Sequence, residues 1–438
     1  LRHLIRSGAA PQATPLWWQG QAAPVVIATM PAAERLPASV DVLVVGAGYT
    51  GLAAARETAA AGRSTLVLDA HPVGSGCSSR NGGQVAHSIK PTFAALRKRH
   101  GAELARRIHA EAGHAVAHLR HLATEEQLDC DWQPRGCFHG AHTRRHFDAM
   151  AAALDEQPPG LEQRISLVPR AQQRREIGSD FYHGGCIYHD DASIDPPRLM
   201  RALLARAEAQ GAQVVGQCAV TALRRNRDGF EVDTSRGRVA ARRVLLATNG
   251  YTGALSPWHR RRVIPIGSYQ IATERLGSEQ VRALIPEGRN VSDSRRVVVY
   301  YRPSPDGERI VFGGRASLDE QDPLVCVPRL RHMLCEIFPQ LRSAAITHAW
   351  AGFVAYTFDT LPHLGRNDGL YYSMGYCGQG VPLAPYFGMR IGQQMADLAE
   401  GRTALDGLAF PARPYYYGKP WFLAASVFTY RLLDSLGL

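Results

Sequence analysis

The sequence predicts an α/β chain, α+β overall: a Rossmann-type dinucleotide-binding unit joined to a discontinuous, mostly antiparallel β-sheet unit. Three observations predict it. Asp41 to Asp69 runs as strand, three glycines, Ala-rich helix, strand and acid. Residues 213–247 read as a β-meander with turns at Asp228-Gly229 and Ser235-Arg236-Gly237. Another glycine-rich turn, Gly375 to Gly380, stands between a strand at Leu370 to Met374 and a helix.

Each part of the first unit has a mechanical reason. Val42 to Val45 is an apolar run suited to a buried parallel strand. Gly46 permits the tight turn, Gly48 lets the backbone approach a pyrophosphate, and Gly51 allows close helix–strand packing. The helix opening at Tyr49 and Thr50 points free N–H groups and its positive end at the phosphates. Asp69, followed by Ala70, closes the next strand where an acid accepts the ribose hydroxyls.

Residues 1–36 hold Trp17, Trp18 and several prolines, and read as an extension wrapping onto the body. Gly74 to Gln84 is a small-residue loop too rich in glycine for a helix interior. Leu104, Ile108, Ala112, Ala115, Leu119 and Leu122 form one helical face; histidines 109, 114, 118 and 121 on the same helix are expected in solvent. The block from there to about 190 reads as irregular and polar. Asp195 then caps a helix with proline at its first position. Between about 265 and 345 short strands alternate with a helix.

The 438 residues leave room for two or three domains, and 45% hydrophobic against 20% charged supports a large core. The net charge of +11 is spread as arginine, without the interleaved aromatics of a single-strand binding platform, so no nucleic-acid partner is expected. The eight cysteines are scattered with no C-x-x-C pair, which excludes a zinc motif or a disulfide framework and fits a reducing compartment, the cytoplasm. No metal site is expected. No signal peptide is visible and no apolar run reaches a membrane-spanning length. The apolar stretch 421–438 is expected to dock on the body or to lie at the inner face of a membrane as a peripheral contact.

Four blocks, taken with this order, resemble the D-amino-acid-oxidase-like family of FAD-dependent oxidoreductases over about residues 38–400. They are the Gly46–Gly51 turn with Asp69; Ser79-Arg80-Asn81-Gly82-Gly83-Gln84; Ala247-Thr248-Asn249-Gly250-Tyr251; and Trp350-Ala351-Gly352 through Pro362 with Gly375 to Val381. R-N-G-G-Q and A-T-N-G-Y-T look most like its γ-glutamylputrescine oxidoreductase branch. The resemblance implies an FAD-binding domain made of 37–100, 191–264 and 346–404, a substrate-binding domain made of 101–190 and 265–345, and a tail at 405–438. It implies FAD contacts from the first block, from Ser78 to Gln84, from Val220, from Ala247 to Gly250, and from Gly352 and Gly378, Gln379, Gly380 and Val381. Related sarcosine oxidases tether FAD through a cysteine; Phe353 to Tyr356 contains none, so non-covalent FAD is expected. Those oxidases also use a lysine beside the flavin. Here no lysine stands between 99 and 418, which leaves Lys90 or Arg302 as replacements and oxidase versus dehydrogenase open.

The implied reaction takes a hydride from the carbon next to a neutral amine to the flavin, and the imine then hydrolyses. Tyr251, Tyr301, Arg302 and Gln379 are the candidate catalytic residues. Lys90, Tyr269, Trp350, Tyr356 and Tyr376 are candidate substrate contacts, with His87 near the mouth; Trp350 reads as core before ligand. Aromatic faces suit an amine, and Arg302 or Lys90 suits a carboxylate. Three substrate readings stand: a γ-glutamylputrescine-like polyamine derivative; a secondary, cyclic or D-amino acid such as pipecolate, proline or sarcosine; or a flavoprotein subunit without catalysis. The electron acceptor is oxygen or a carrier.

Overall fold

The computed structural model describes residues 10–20, 35–315 and 322–435. Its first sheet runs in the order His363–Asn367, Leu370–Met374, Gly237–Leu246, Ser39–Val45, Thr65–Leu68 and Gln213–Val215. Ser39–Val45 is central: Val42 pairs in parallel with Thr65 on one side and Arg243 on the other. A strand covered on both faces needs an unbroken apolar run. Val42 and Val44 point into one core cluster and Leu43 and Val45 into another.

The helix Tyr49–Ala60 lies against Gly380–Met395. A Cβ on Gly388 would stand 2.4 Å from the Thr50 carbonyl oxygen, and one on Gly392 2.7 Å from that of Ala54. Equal steps along both chains make the helices parallel, so their positive ends point the same way. The helix Pro196–Ala209 starts at Asp195, whose carboxylate accepts from the Arg198 N–H.

The second sheet runs Ile346–Tyr356, Ile264–Thr273, Ile310–Gly314, Val299–Pro303, Asn290–Asp293, Cys137–Gly140, Gly184–Tyr188 and Ile165–Pro169. It is antiparallel except where Asn290–Asp293 meets Cys137–Gly140. The helix Pro323–Ile337 buries Cys326, Leu330, Leu334 and Ile337 in its core.

Three expectations are corrected. Gln213–Val215 is not part of the meander: it follows a helical crossover and pairs in parallel with Thr65–Leu68 at the far edge of the first sheet. The meander proper is Val220–Arg225, Phe230–Thr234 and Gly237–Leu246. The block before residue 190 is not irregular throughout. It supplies three strands of the second sheet, each only four or five residues long, too short for periodicity to reveal. On the helix Ala102–Thr124, His109 and His118 are half-buried rather than solvated, and burial lowers the His118 pKa to about 4.

The segment 10–20 runs along the second sheet, where Gln12 exchanges backbone hydrogen bonds with Thr347 and Ala349, both 2.9 Å. At the other end the helix Leu423–Ser435 docks Leu423 and Val427 against Val297 and Ile266. The Asp434 carboxylate accepts from the N–H groups of Arg296 and Val297.

Candidate flavin site

The first glycine turn is built as its spacing requires. Gly46 has φ +106°, and a Cβ there would meet the Ala247 carbonyl oxygen at 2.9 Å; one on Gly51 would lie 1.9 Å from the Gly46 oxygen. Asp69 is engaged within the turn: its carboxylate accepts from the N–H of Ala47 (2.9 Å) and of His71 (3.0 Å). Cys218 N–H donates to the Asp69 carbonyl, so Val220, the first residue of the meander, begins beside the acid. Ala70 next to it is exposed.

The loop from Gly74 to Gly83 is held at almost every residue. Ser78 Oγ accepts from Tyr49 N–H at the helix start (3.1 Å), and the Ser79 hydroxyl donates to Gly74 O. Arg80 Nε donates to Ser75 O (2.7 Å). The Asn81 amide donates to Ser78 O and accepts from Gly83 N–H. The Arg80 carbonyl is gripped from the second sheet by Gln270 Nε2 (2.7 Å) and Trp350 Nε1 (2.8 Å), which are register partners on adjacent strands. Gln84 reaches the Tyr301 carbonyl at 3.3 Å. Gln270 Oε1 is buried without a protein partner, close to Gly82.

The late turn closes on the other two blocks. Asn249, at φ +43°, accepts from Gly375 N–H at 2.9 Å. Thr248 and Thr252 hydroxyls lie 2.7 Å apart, and Gly250 has room for no more than hydrogen before Phe353. Cys377 N–H donates to Ala355 O. Gly378 is exposed at φ +93°, and Gln379 precedes the helix that Gly380 and Val381 begin.

Side-chain placement separates the candidates. Tyr301 points away from the loop: it is 1% exposed, stacks on Phe312 and lies 3.1 Å from the Tyr182 hydroxyl. Its neighbour Tyr300 faces Gly82 and bonds Ser268 at 2.9 Å. Alternation along Val299–Pro303 decides this, and the sequence pattern there did not show which tyrosine faced inward. Arg302 is buried, not an open pocket residue. Its Nη1 donates to Gly83 O and Ile194 O, and burial lowers its pKa to about 10. Trp350 is fully buried, a brace rather than a surface for ligand. Tyr376 is likewise buried, bonding Thr50 and Ser373.

Tyr251 and Tyr269 border an open cleft of about 720 Å³ with Arg80, Gly352 and Phe353. Tyr251 meets Phe353 edge-on at 5.5 Å. On another flank Lys90 is exposed, its Nζ 6.0 Å from the centre of the Tyr356 ring, whose hydroxyl nears Gly378. His87 N–H donates to Asp191, a carboxyl that burial raises to about 7. Ser268, Gln270, Tyr300 and Phe353 went unread in the sequence, since single polar or aromatic residues in strands carry no motif. Among the described residues no cluster suits a metal ion.

These residues fit a bound dinucleotide. The glycine turn packs too closely to accept a Cβ, which brings its backbone N–H groups to the mouth of the strand, two parallel helix starts supply further N–H groups, and Gln270 offers an unused buried acceptor. Burial pushes the Cys77 and Cys377 thiols up to about 11, so neither is a ready thiolate.

Comparison with known proteins agrees. The family model described as FAD dependent oxidoreductase (DAO) matches residues 41–394. γ-Glutamylputrescine oxidoreductase of Escherichia coli (strain K12) is 32% identical over 411 residues, 91% of this chain and 93% of that one. Glycine oxidase of Geobacillus kaustophilus is 25% identical over 385 residues, 84% of this chain and 94% of the relative. A crystal structure of glycine oxidase from Geobacillus kaustophilus superimposes with a TM-score of 0.71 at 20% identity, covering 86% of this chain and all of that one. L-Proline dehydrogenase from P. horikoshii gives 0.68 at 18% identity, covering 89% and 99%.

Proposed function

The chain belongs to the DAO family of FAD-dependent oxidoreductases, and from that premise we propose that it oxidises the C–N bond of a γ-glutamylputrescine-like amine. It is an oxidoreductase of amine or amino-acid substrates; the polyamine derivative is the finer reading. The observation that carries it is the 32% identity to a γ-glutamylputrescine oxidoreductase across nine-tenths of the chain. The burial of Arg302 supports it further. Its guanidinium, the sequence's candidate for an α-carboxylate, is spent on two backbone carbonyls.

FAD, when bound, supplies the hydride acceptor. The chain would hold it without a covalent link: Gly46, Gly48 and Gly51 would admit its phosphates, and Asn81, Gly82 and Gly83 would stand beside its ring system. Backbone N–H groups at Gly380 and Val381 favour negative charge at the helix start. Aromatic rings at Tyr251, Tyr269 and Phe353 take the amine out of water, which lowers its pKa and frees the nitrogen lone pair. Lys90 over Tyr356 is the cation for a distant carboxylate. Oxygen or an electron carrier takes up the electrons. Among the described residues no helix is long and apolar enough to cross a membrane. Phe428, Tyr430 and Leu432 stay exposed on the docked tail, and they support a peripheral membrane contact.

The test is anaerobic bleaching of the flavin band by γ-glutamylputrescine, putrescine, pipecolate, proline, sarcosine and D-alanine, with air then readmitted. Bleaching by γ-glutamylputrescine supports the proposal; bleaching by the amino acids alone replaces it with amino-acid oxidation. Fast reoxidation in air marks an oxidase, slow reoxidation a dehydrogenase.

A further inference from the structure

The segment before the dinucleotide unit makes contacts that neither the family's glycine turns nor the proposed chemistry explains. Gln12 adds to the edge of the second sheet beside His348. Leu16 and Trp17 then enter a small apolar cluster with Ala272, Val311 and Trp350. Trp17 is 3% exposed and meets Trp350 edge-on at 6.0 Å. Trp350, with Gln270, grips the Arg80 carbonyl.

The next residue acts on the loop directly. Trp18 Nε1 donates to Ser79 Oγ at 3.1 Å, and the Arg80 guanidinium lies 4.5 Å from the centre of the Trp18 ring. Arg302 closes the arrangement: its guanidinium lies 5.3 Å from the centre of the Trp17 ring while it donates to Gly83 O. Ser79, Arg80 and Gly83 are thus each tied, directly or through one side chain, to the two tryptophans.

We propose that Gln12–Trp18 is a clamp that holds the loop Gly74–Gly83 in the shape that receives the flavin, with Trp17 and Trp18 as positioning residues. The physical case is conformational entropy. The loop is rich in glycine and serine and has no regular structure beyond one short helical turn, so its own few hydrogen bonds must offset a large conformational entropy. Outside contacts add to those bonds, and the tryptophans supply a ring for a cation to stack on and an N–H for a hydroxyl. The inference rests on the reading that this loop lines the flavin.

The experiment compares the full-length protein with Trp18→Ala and Trp18→Phe. Trp18 is half-buried and packs against the Trp17 cluster from its edge, so thermal unfolding of each variant is read beside exchange. Amide hydrogen exchange is read in the apo state over Gly74–Gly83 and, as control, over Ser39–Val45; FAD affinity is read by titration of apoprotein. The clamp requires Trp18→Ala to speed loop exchange about tenfold and weaken FAD about tenfold, the size of one lost hydrogen bond with its packing. Control exchange stays unchanged, and Trp18→Phe, which keeps the ring but not the N–H, falls between. Unchanged loop exchange overturns the clamp. Faster loop exchange with undiminished FAD affinity instead overturns the loop as a flavin contact, leaving the family chemistry untouched.

Discussion

The Tyr376 hydroxyl lies 2.7 Å from Thr50 Oγ1, joining the second residue of the first helix to the turn that opens the last strand-to-helix unit. The same hydroxyl lies 2.9 Å from Ser373 Oγ. Two glycine turns far apart in sequence are thereby held at a common distance by one buried phenol, which burial makes a weaker acid, with its pKa at about 12. Both bonds form inside the core, where an orphaned partner is costly.

Tyr376→Phe therefore leaves Thr50 and Ser373 short of a partner. We expect a stability loss of about 1–2 kcal/mol and weaker FAD binding, read by thermal unfolding of the apoprotein and by flavin titration. Full affinity with unchanged melting would separate Tyr376 from the cofactor site.

Arg302→Ala should act as a scaffold mutation. It strips Gly83 O and Ile194 O of a charged donor, and we expect a loss of about 2–4 kcal/mol and reduced flavin content. The fraction that retains flavin should keep its KM. A KM raised tenfold at unchanged melting temperature would return Arg302 to the substrate pocket.

Asp191 sets a pH dependence. Its folded pKa, about 7, lies above the ordinary 3.8 because it is buried, despite the His87 N–H that opposes the shift. A raised carboxyl contributes stability fully present below about pH 4 and lost as pH rises through 7. Asp191→Asn keeps an acceptor for His87 and removes the titration. Its stability should match wild type at pH 4 and exceed it at pH 8 by about 1–3 kcal/mol, read by chemical unfolding at each pH. Parallel curves for the two proteins across that range would refute the assignment.

Gly46→Ala should abolish flavin binding, because the added carbon would sit 2.9 Å from Ala247 O at a φ of +106° that alanine avoids. A soluble variant that copurifies with normal flavin would contradict the cradle.

Acid precipitation of the wild-type protein should leave a colourless pellet and a yellow supernatant. A yellow pellet means a covalent link and would point first to Cys77 or Cys377.

Much of the site was legible because its signals are local. G-x-G-x-x-G between an apolar run and an Ala-rich helix needs no distant partner to be read, and the structure builds that turn with the strand central and parallel. The Asp195 cap and the meander turns are legible for the same reason: backbone geometry within a few residues demands those residue types. Gln213–Val215 carries no such signal: one polar and two apolar residues do not say which strand they will join.

The sequence by itself determined the fold class, the dinucleotide cradle and the family, since short-range spacing carries them. Only the tertiary structure decided which side chains face the cradle. Tyr300 turns to the loop and Tyr301 to the core because side chains alternate along a strand, and a shift of one residue would exchange them. Arg302 is spent on backbone carbonyls, and Trp350 grips Arg80, because segments far apart in the chain converge on one loop. Long-range hydrogen bonds of that kind leave no period or motif in the sequence.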